Sequence, residues 1–269
     1  MAIYLDETVH NYLTWLKDVK KAPYHTFRAY QIDLQQFLKH FLRIDRIELP
    51  GKEDLEEYIG IIKNKYNYST YRRKITALRN FIAYIIDSGI NIPDPFISIS
   101  LPMPDIDYNI PATYDEILKL NESLPENDYQ AIRDKLIFAL FAKCGLTIKQ
   151  ALKIKIKDIN LAANQIILSN EQLTFIDDST KVLIEKYYSH LNEKNPLALD
   201  DYLLTNNIRL PLSTRTLNLI IDKISQKMNF KTRLSPTVLR RLFAKSLKDR
   251  NINKTTKEMI LGKKCRLAS

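Results

Sequence analysis

Two adjacent arginines stand in an otherwise apolar stretch near the C-terminal end of the sequence, "SPTVLRRLFAKSL", residues 235–247. Ser235 is a favourable helix N-cap, and Pro236 suits the first helical position, where no backbone N–H is needed. The segment is therefore predicted to be a helix. On that helix Arg241 shares a row with Lys245, and such a basic row is typical of a face in contact with water.

Arg240 lies on a different side of the same predicted helix, beside the apolar row of Leu239, Leu242 and Phe243. A guanidinium that is buried without a partner is strongly destabilising, so we expect Arg240 to have an anionic or carbonyl partner. One interpretation is that it grips an anion. The alternative, which this segment leaves open, is a structural partner such as a carboxylate or the end of another helix.

The distribution of charge points towards a polyanionic partner. From Asn206 to the last residue there are 16 Lys and Arg against 3 Asp and Glu, a local net charge of +13. The whole chain carries only +10, so the residues before Asn206 are slightly acidic in sum. Such an asymmetry is most often a nucleic-acid surface. A merely solubilising basic tail is less favoured, because the basic residues are interleaved with apolar residues at helical spacing.

Composition excludes several classes of protein. No apolar run approaches the roughly 20 residues of a membrane span, and the N-terminus lacks the basic-then-apolar order of a signal peptide. The two cysteines and four histidines show no metal-ligand spacing, and with five glycines there is no phosphate-binding glycine loop. We therefore expect no metal, no cofactor and no membrane partner, and we expect a cytoplasmic, nucleoid-associated location.

Prolines mark the domain organisation. Five of the eleven prolines fall in "PDPFISISLPMPDIDYNIP", residues 93–111, which has no helical period. Repeated prolines favour extended backbone. We predict a helical N-terminal domain over 1–100, a proline-rich linker over 101–111 and a C-terminal domain over 112–269.

Helical periodicity dominates the predicted N-terminal domain, where four amphipathic segments are typical of a compact bundle. In the last of them, "STYRRKITALRNFIAYIIDSG", we expect Ser69 to be the N-cap and Ile75 and Leu78 to face the core. The opposite stripe is mostly basic, and it could dock on a phosphodiester backbone. Its arginines are Arg72, Arg73 and Arg79.

The predicted C-terminal domain is mixed. A long apolar helix covers "NDYQAIRDKLIFALFAKCG", and the runs "NQIILS" and "QLTFID" predict a β-hairpin. Further helices follow, and "DDYLLT" is a possible strand. The fold class is therefore mainly α with a small β-hairpin or sheet.

The order of these elements resembles that of the tyrosine recombinases, the phage-integrase and Xer-type family. "YHTFRAYQIDLQQFL" and "STYRRKITALRNFIAYI" are similar to helices of the family's SAM-like core-binding domain. "RDKLIFALFAKCGLTIKQALKIKIKDIN" resembles the segment that normally reads Gly-Leu-Arg-Ile-Ser-Glu. "LSPTVLRRLFAKSL" resembles Pro-His-x-Leu-Arg-His-x-Phe-Ala, and "EMILGK" resembles a motif ending in Leu-Gly-His.

The resemblance implies DNA cleavage by a tyrosine nucleophile without a metal ion. Two arginines and a histidine or lysine then stabilise the charge that develops on the phosphate, and a hairpin lysine protonates the leaving oxygen. Arg240 matches the second arginine and is the one clear catalytic match. Lys263, in place of the last histidine, is a weak substitute that can donate a hydrogen bond.

The other catalytic positions depart from the family pattern. Thr147 stands at the first arginine, Gln150 at the following acidic residue and Thr237 at the first histidine. The hairpin turn has Asn170 and Glu171 where the lysine is expected. The family's tyrosine follows the Leu-Gly-His motif, whereas no tyrosine of this sequence comes after Tyr202, so we expect the C-terminal domain to lack the tyrosine end.

The leading hypothesis is a family member that binds double-stranded DNA without cutting it, as an accessory or decayed recombinase, with another recombinase subunit as a further candidate partner. An active recombinase whose C-terminal end is missing from this sequence is the second hypothesis. A helical module that binds protein or RNA is the third. The residues expected to contact DNA are Arg72, Arg73, Arg79, Lys149, Arg215, Arg240, Arg241 and Lys245.

Overall fold

A computed structural model describes residues 4–42, 50–90, 92, 94–97, 112–169, 172–194, 196–227 and 233–262. The chain divides into two compact units, Met1–Asp107 and Tyr108–Ser269. The predicted linker, 101–111, lies outside the described residues. Each unit has its own hydrophobic core.

The N-terminal unit is helical in its described part. Its helices are α1 (Leu5–Asp18), α2 (Tyr24–Leu42), α3 (Lys52–Lys65) and α4 (Tyr68–Asp87), followed by a short 3-10 turn, Pro95–Ile97. The expected core positions Ile75 and Leu78 are buried, which confirms the predicted face of α4. The predicted N-cap Ser69 is wrong, because α4 begins earlier and the Asn67 side chain accepts the Thr70 N–H at 3.0 Å.

A buried carboxylate joins α2 to α4. Asp33 of α2 is 3% exposed and accepts a hydrogen bond from Lys74 Nζ at 2.9 Å. Arg73 also donates to Asp33 and to the main-chain carbonyl of Ala29. Because an unpaired carboxylate in this position would be strongly destabilising, both cations serve the packing of the two helices.

The C-terminal unit is built around a buried helix. Residues Leu136–Ala142 of α6 are all fully buried, as expected from the apolar run in the sequence. The other helices of this unit except α11 contribute apolar residues to the same core. The buried residues Ile260 and Leu261 of α11 form a second, smaller cluster with Phe243, Ala244 and Leu247 of α10. The helices are α5 (Tyr114–Ser123), α6 (Tyr129–Ala142), α7 (Ile148–Ala151), α8 (Asp178–Lys194), α9 (Thr214–Gln226), α10 (Pro236–Asp249) and α11 (Lys254–Leu261).

A small antiparallel sheet lies between α7 and α8 in the chain. Its strands β1 (Ile159–Asn160), β2 (Gln165–Ser169) and β3 (Gln172–Phe175) pair in the order β1-β2-β3. Strands β2 and β3 form the predicted hairpin, while β1 was not predicted. The mainly α fold class with a small sheet is thus confirmed. The strand predicted in "DDYLLT" is wrong, because Tyr202 and Thr205 form isolated bridges there and no strand.

A close approach of backbone and side chain joins α10 to the loop between α6 and α7. Gly145 has φ +60°, and a Cβ atom built on it would lie 2.3 Å from Cδ1 of Phe243. Glycine is therefore required at this position both by the left-handed backbone and by the ring packed against it.

We expect Gly145→Ala to lower the free energy of unfolding by about 2 kcal/mol or more, because the new methyl group must displace the Phe243 ring at a strained backbone. Gly60→Ala is the matched control. Gly60 lies inside α3, and a methyl group added to it would have no atom within 4 Å, so this change should raise stability by up to about 1 kcal/mol. Equal denaturation midpoints for the two variants would contradict the packing described.

Candidate nucleic-acid interface

Helix α10 has the two faces predicted from its sequence. Ser235 caps it by accepting the Val238 N–H, and Pro236 occupies the first turn. Arg241 and Lys245 are exposed, whereas Arg240 is only 8% exposed. The predicted difference between the two adjacent arginines is therefore confirmed.

The Arg240 guanidinium is bonded to two main-chain carbonyls from distant segments. It donates through Nη1 to the carbonyl of Gly145, in the loop between α6 and α7. It donates through Nη2 to the carbonyl of Leu261, the last residue of α11, at 2.7 Å. A helix end is thus one of its partners, as in the alternative that the sequence left open. Its expected contact with DNA stays a prediction.

Thr147 and Gln150 form a helix cap where the resemblance requires an arginine and an acid. The Thr147 hydroxyl accepts the Gln150 N–H at 3.2 Å and donates to Gln150 Oε1 at 2.8 Å. The Gln150 side-chain carbonyl oxygen also accepts the Thr147 N–H at 2.8 Å. This is a capping box, which satisfies otherwise unpaired donors at the start of α7. The Thr147 hydroxyl and the Gln150 side-chain oxygen are engaged locally, and neither side chain carries charge.

The end of α11 is held by the sheet as well as by Arg240. Gln172 of β3 donates through Nε2 to the Ile260 carbonyl at 3.0 Å. Gly262, with φ +88°, ends the helix next to the Gln172 side chain. Lys263 and the hairpin residues Asn170 and Glu171 lie outside the described residues, so their roles stay predictions.

Three of the tyrosines in the C-terminal unit are poor sources of a nucleophilic phenolate. Burial raises the pKa of Tyr114 to about 12, and burial also raises the pKa of Tyr187 and Tyr188. These phenols are therefore protonated at neutral pH. Cys144 is equally inert, because burial raises the pKa of its thiol to about 12.

The other predicted DNA-contacting residues have different environments. Lys149 of α7 and Arg215 of α9 are exposed in the C-terminal unit. In the N-terminal unit Arg72 is half-buried, while Arg73 is paired with Asp33. The Arg79 guanidinium lies over the Phe96 ring, 5.3 Å from its centroid. The structure thus leaves the C-terminal residues more accessible than the α4 stripe.

A groove of about 570 Å³ lies beside α10, between its last turns and the start of α5. Lys245 and Arg250 line it together with the carboxylates of Asp115, Glu116 and Asp249. The mixture of charges makes the groove a poor fit for a phosphate backbone. The favourable face for an anion is the outer row of α10, where Arg241, Lys245 and Lys248 are exposed.

Sequence reasoning missed the residues that complete this region. Gly145 accepts a hydrogen bond from Arg240, and Gln172 donates one to the end of α11. The partners are far apart in the sequence, so hydrophobic periodicity could not predict these contacts. The capping box had a readable signal, since Thr147 followed three residues later by Gln150 is the usual pattern.

Two negative findings apply to the described residues. Within them, no group of three or more His, Cys, Asp or Glu side chains could hold a metal ion. None of the described helices has the length and apolar character needed to cross a bilayer.

Family models match most of the chain. The model of the phage integrase family matches residues 112–264, and that of the phage integrase N-terminal SAM-like domain matches residues 9–89. The tyrosine recombinase XerC of Staphylococcus epidermidis is 26% identical, over 96% of this chain and 89% of that protein. A tyrosine recombinase of Pseudothermotoga lettingae is 29% identical, over 96% of this chain and 90% of that protein.

Solved structures share the fold. The integrase of transposon Tn1549, in complex with circular intermediate DNA, has a TM-score of 0.74 at 14% identity, over 98% of this chain and 93% of that one. The XerH recombinase bound to a palindromic difH substrate has a TM-score of 0.72 at 16% identity, over 94% of this chain and 78% of that one. Because the first family model covers more than half of its residues, the chain belongs to the phage integrase family, and its curated relatives are tyrosine recombinases.

Proposed function

We propose that this member of the family binds double-stranded DNA and does not cut it. The proposal extends to this chain the DNA contact named for the Tn1549 integrase and XerH structures. The net charge of +13 after Asn206 supports it, because neutralised phosphates release counterions and so favour binding.

The inference that this chain does not cut DNA rests on the Thr147–Gln150 capping box. Phosphoryl transfer requires donors that are fixed around the developing charge, and an arginine fork is worth several kcal/mol there. At this position the chain has a neutral hydroxyl that is engaged in capping α7. Thr237, at the first histidine position, adds no charge either.

Three buried phenols of the C-terminal unit are consistent with the same conclusion. Tyr114, Tyr187 and Tyr188 have pKa values raised by burial, so forming a phenolate at neutral pH is unfavourable. The exposed row of α10 requires no such activation, because a permanent cation contacts a phosphate directly. We therefore assign DNA contact to Arg241, Lys245 and Lys248 on α10, with Lys149 and Arg215 as further contacts in this unit.

Titration of a labelled duplex at several salt concentrations tests binding. We expect the affinity to fall linearly on logarithmic axes, and Arg241→Ala or Lys245→Ala to reduce the slope by about 0.9, because each removes one phosphate contact. Lys63→Ala, on the acidic helix α3, is the charge-matched control and should leave the slope unchanged. A wild-type chain that binds no duplex at low salt would overturn the proposal in favour of a protein- or RNA-binding module.

Cleavage is tested with nicked suicide duplexes whose central sequence is randomised. We expect no covalent protein–DNA adduct after denaturing electrophoresis, with an active tyrosine recombinase on its own site as the positive control. A phosphotyrosyl adduct formed by this chain would show that the cleavage chemistry is retained.

The role of Thr147 as a cap is tested by stability and by binding together. Thr147→Ala should lower the free energy of unfolding by about 1 kcal/mol, because the N-cap acceptor is lost, and Thr147→Ser should retain most of it. Neither change should alter duplex affinity. A large loss of affinity in Thr147→Ala at unchanged stability would mean that the hydroxyl contacts DNA.

A further inference from the structure

We propose that Arg240, although it stands at the family's second phosphate-binding arginine, acts in this chain as a positioning residue. It fastens the C-terminal end of α11 to the loop between α6 and α7, and it does not contact a DNA phosphate. This inference rests on the proposed function only for its DNA-binding readout, since the fastening role is independent of DNA.

The first support is the identity of the acceptors. The carbonyls of Gly145 and Leu261 are both buried, and each accepts an N–H of the same guanidinium. A phosphate oxygen that took over these N–H groups would leave two buried carbonyls unpaired, which is unfavourable. The observed partners therefore compete with a phosphate for these two of the five guanidinium N–H groups.

The second support is the position of Leu261 at a helix end. The last carbonyls of a helix have no partner within the helix, and they carry its negative partial charge. Arg240 satisfies the Leu261 carbonyl, and Gln172 satisfies the Ile260 carbonyl at 3.0 Å. Two side chains from separate elements thus complete the end of α11.

The third support is the rigidity of the other acceptor. Gly145 is held by its left-handed backbone and by the Phe243 ring, which lies one turn after Arg240 on the same helix. Helix α10 therefore contacts the loop at two points. The Phe243 ring packs against Gly145, and the Arg240 guanidinium donates to the Gly145 carbonyl. Thr147, two residues after Gly145, caps α7. The contacts of this loop therefore stabilise the fold.

Hydrogen exchange measured residue by residue on the full chain tests the fastening. In Arg240→Ala we expect the protection of the Ile260, Leu261 and Gly262 amides to fall at least about tenfold, because the helix end opens locally. The exposed neighbour provides the matched control, and Arg241→Ala should leave this protection unchanged. Gln172→Ala is the second variant if Arg240→Ala does not fold. It removes the other side-chain hydrogen bond to the end of α11, so it should partly reduce the exchange protection of the same amides.

The salt dependence of duplex binding is the second measurement. It stays unchanged if the role of Arg240 is structural. Arg240→Ala removes the cation, and under this proposal it should still bind DNA with an unchanged salt slope. Arg240→Lys keeps a cation that can reach one carbonyl, so protection at the α11 end should fall by less than in Arg240→Ala. A slope reduced by about 0.9 in Arg240→Ala, as for a lost phosphate contact, would overturn the proposal. Unchanged protection in Arg240→Ala would also overturn it. If the wild-type chain binds no duplex, the proposed function fails, and the exchange measurement alone decides the role of Arg240.

Discussion

A buried guanidinium must be supplied with oxygen acceptors, and in the C-terminal unit this requirement joins three segments that are far apart in the sequence. Arg240 on α10 bonds the loop before α7 and the end of α11. Phe243 packs on the same loop through a contact that only glycine permits. Because the acceptors are main-chain atoms, a substitution at Leu261 leaves its carbonyl in place, whereas a side chain at position 145 would strain the backbone that positions the other carbonyl.

Charge in this chain has two uses that a count of residues does not separate. On α10 the basic row is exposed to solvent, where a polyanion can approach it. On α4, Arg73 and Lys74 are committed to the buried carboxylate of Asp33. That carboxylate lies about forty positions earlier in the chain, so a helical projection of α4 alone displays a cationic stripe whose charge is partly neutralised in the fold.

Local physics explains which features were predictable. The cap at Ser235, the proline after it and the apolar spacing are sufficient to predict α10 and the opposite environments of its two arginines. The β2–β3 hairpin follows in the same way from two β-branched runs. Strand β1, in contrast, has two residues, and it exists because β2 offers it a partner. The partners of Arg240 depend on tertiary contacts, so the sequence could indicate the need for an acceptor and not its identity.

Under the proposed function, the region around Thr147 is stabilised without a phosphate-binding arginine. An arginine held ready for a phosphate is a stability cost when no phosphate is bound, because its charge must be kept partly desolvated. A threonine and a glutamine at the same positions make reciprocal bonds with the start of α7 and leave no charge to accommodate. These neutral side chains therefore stabilise the folded chain in the absence of DNA. Under the proposed function, the contacts of this loop contribute to stability and not to cleavage.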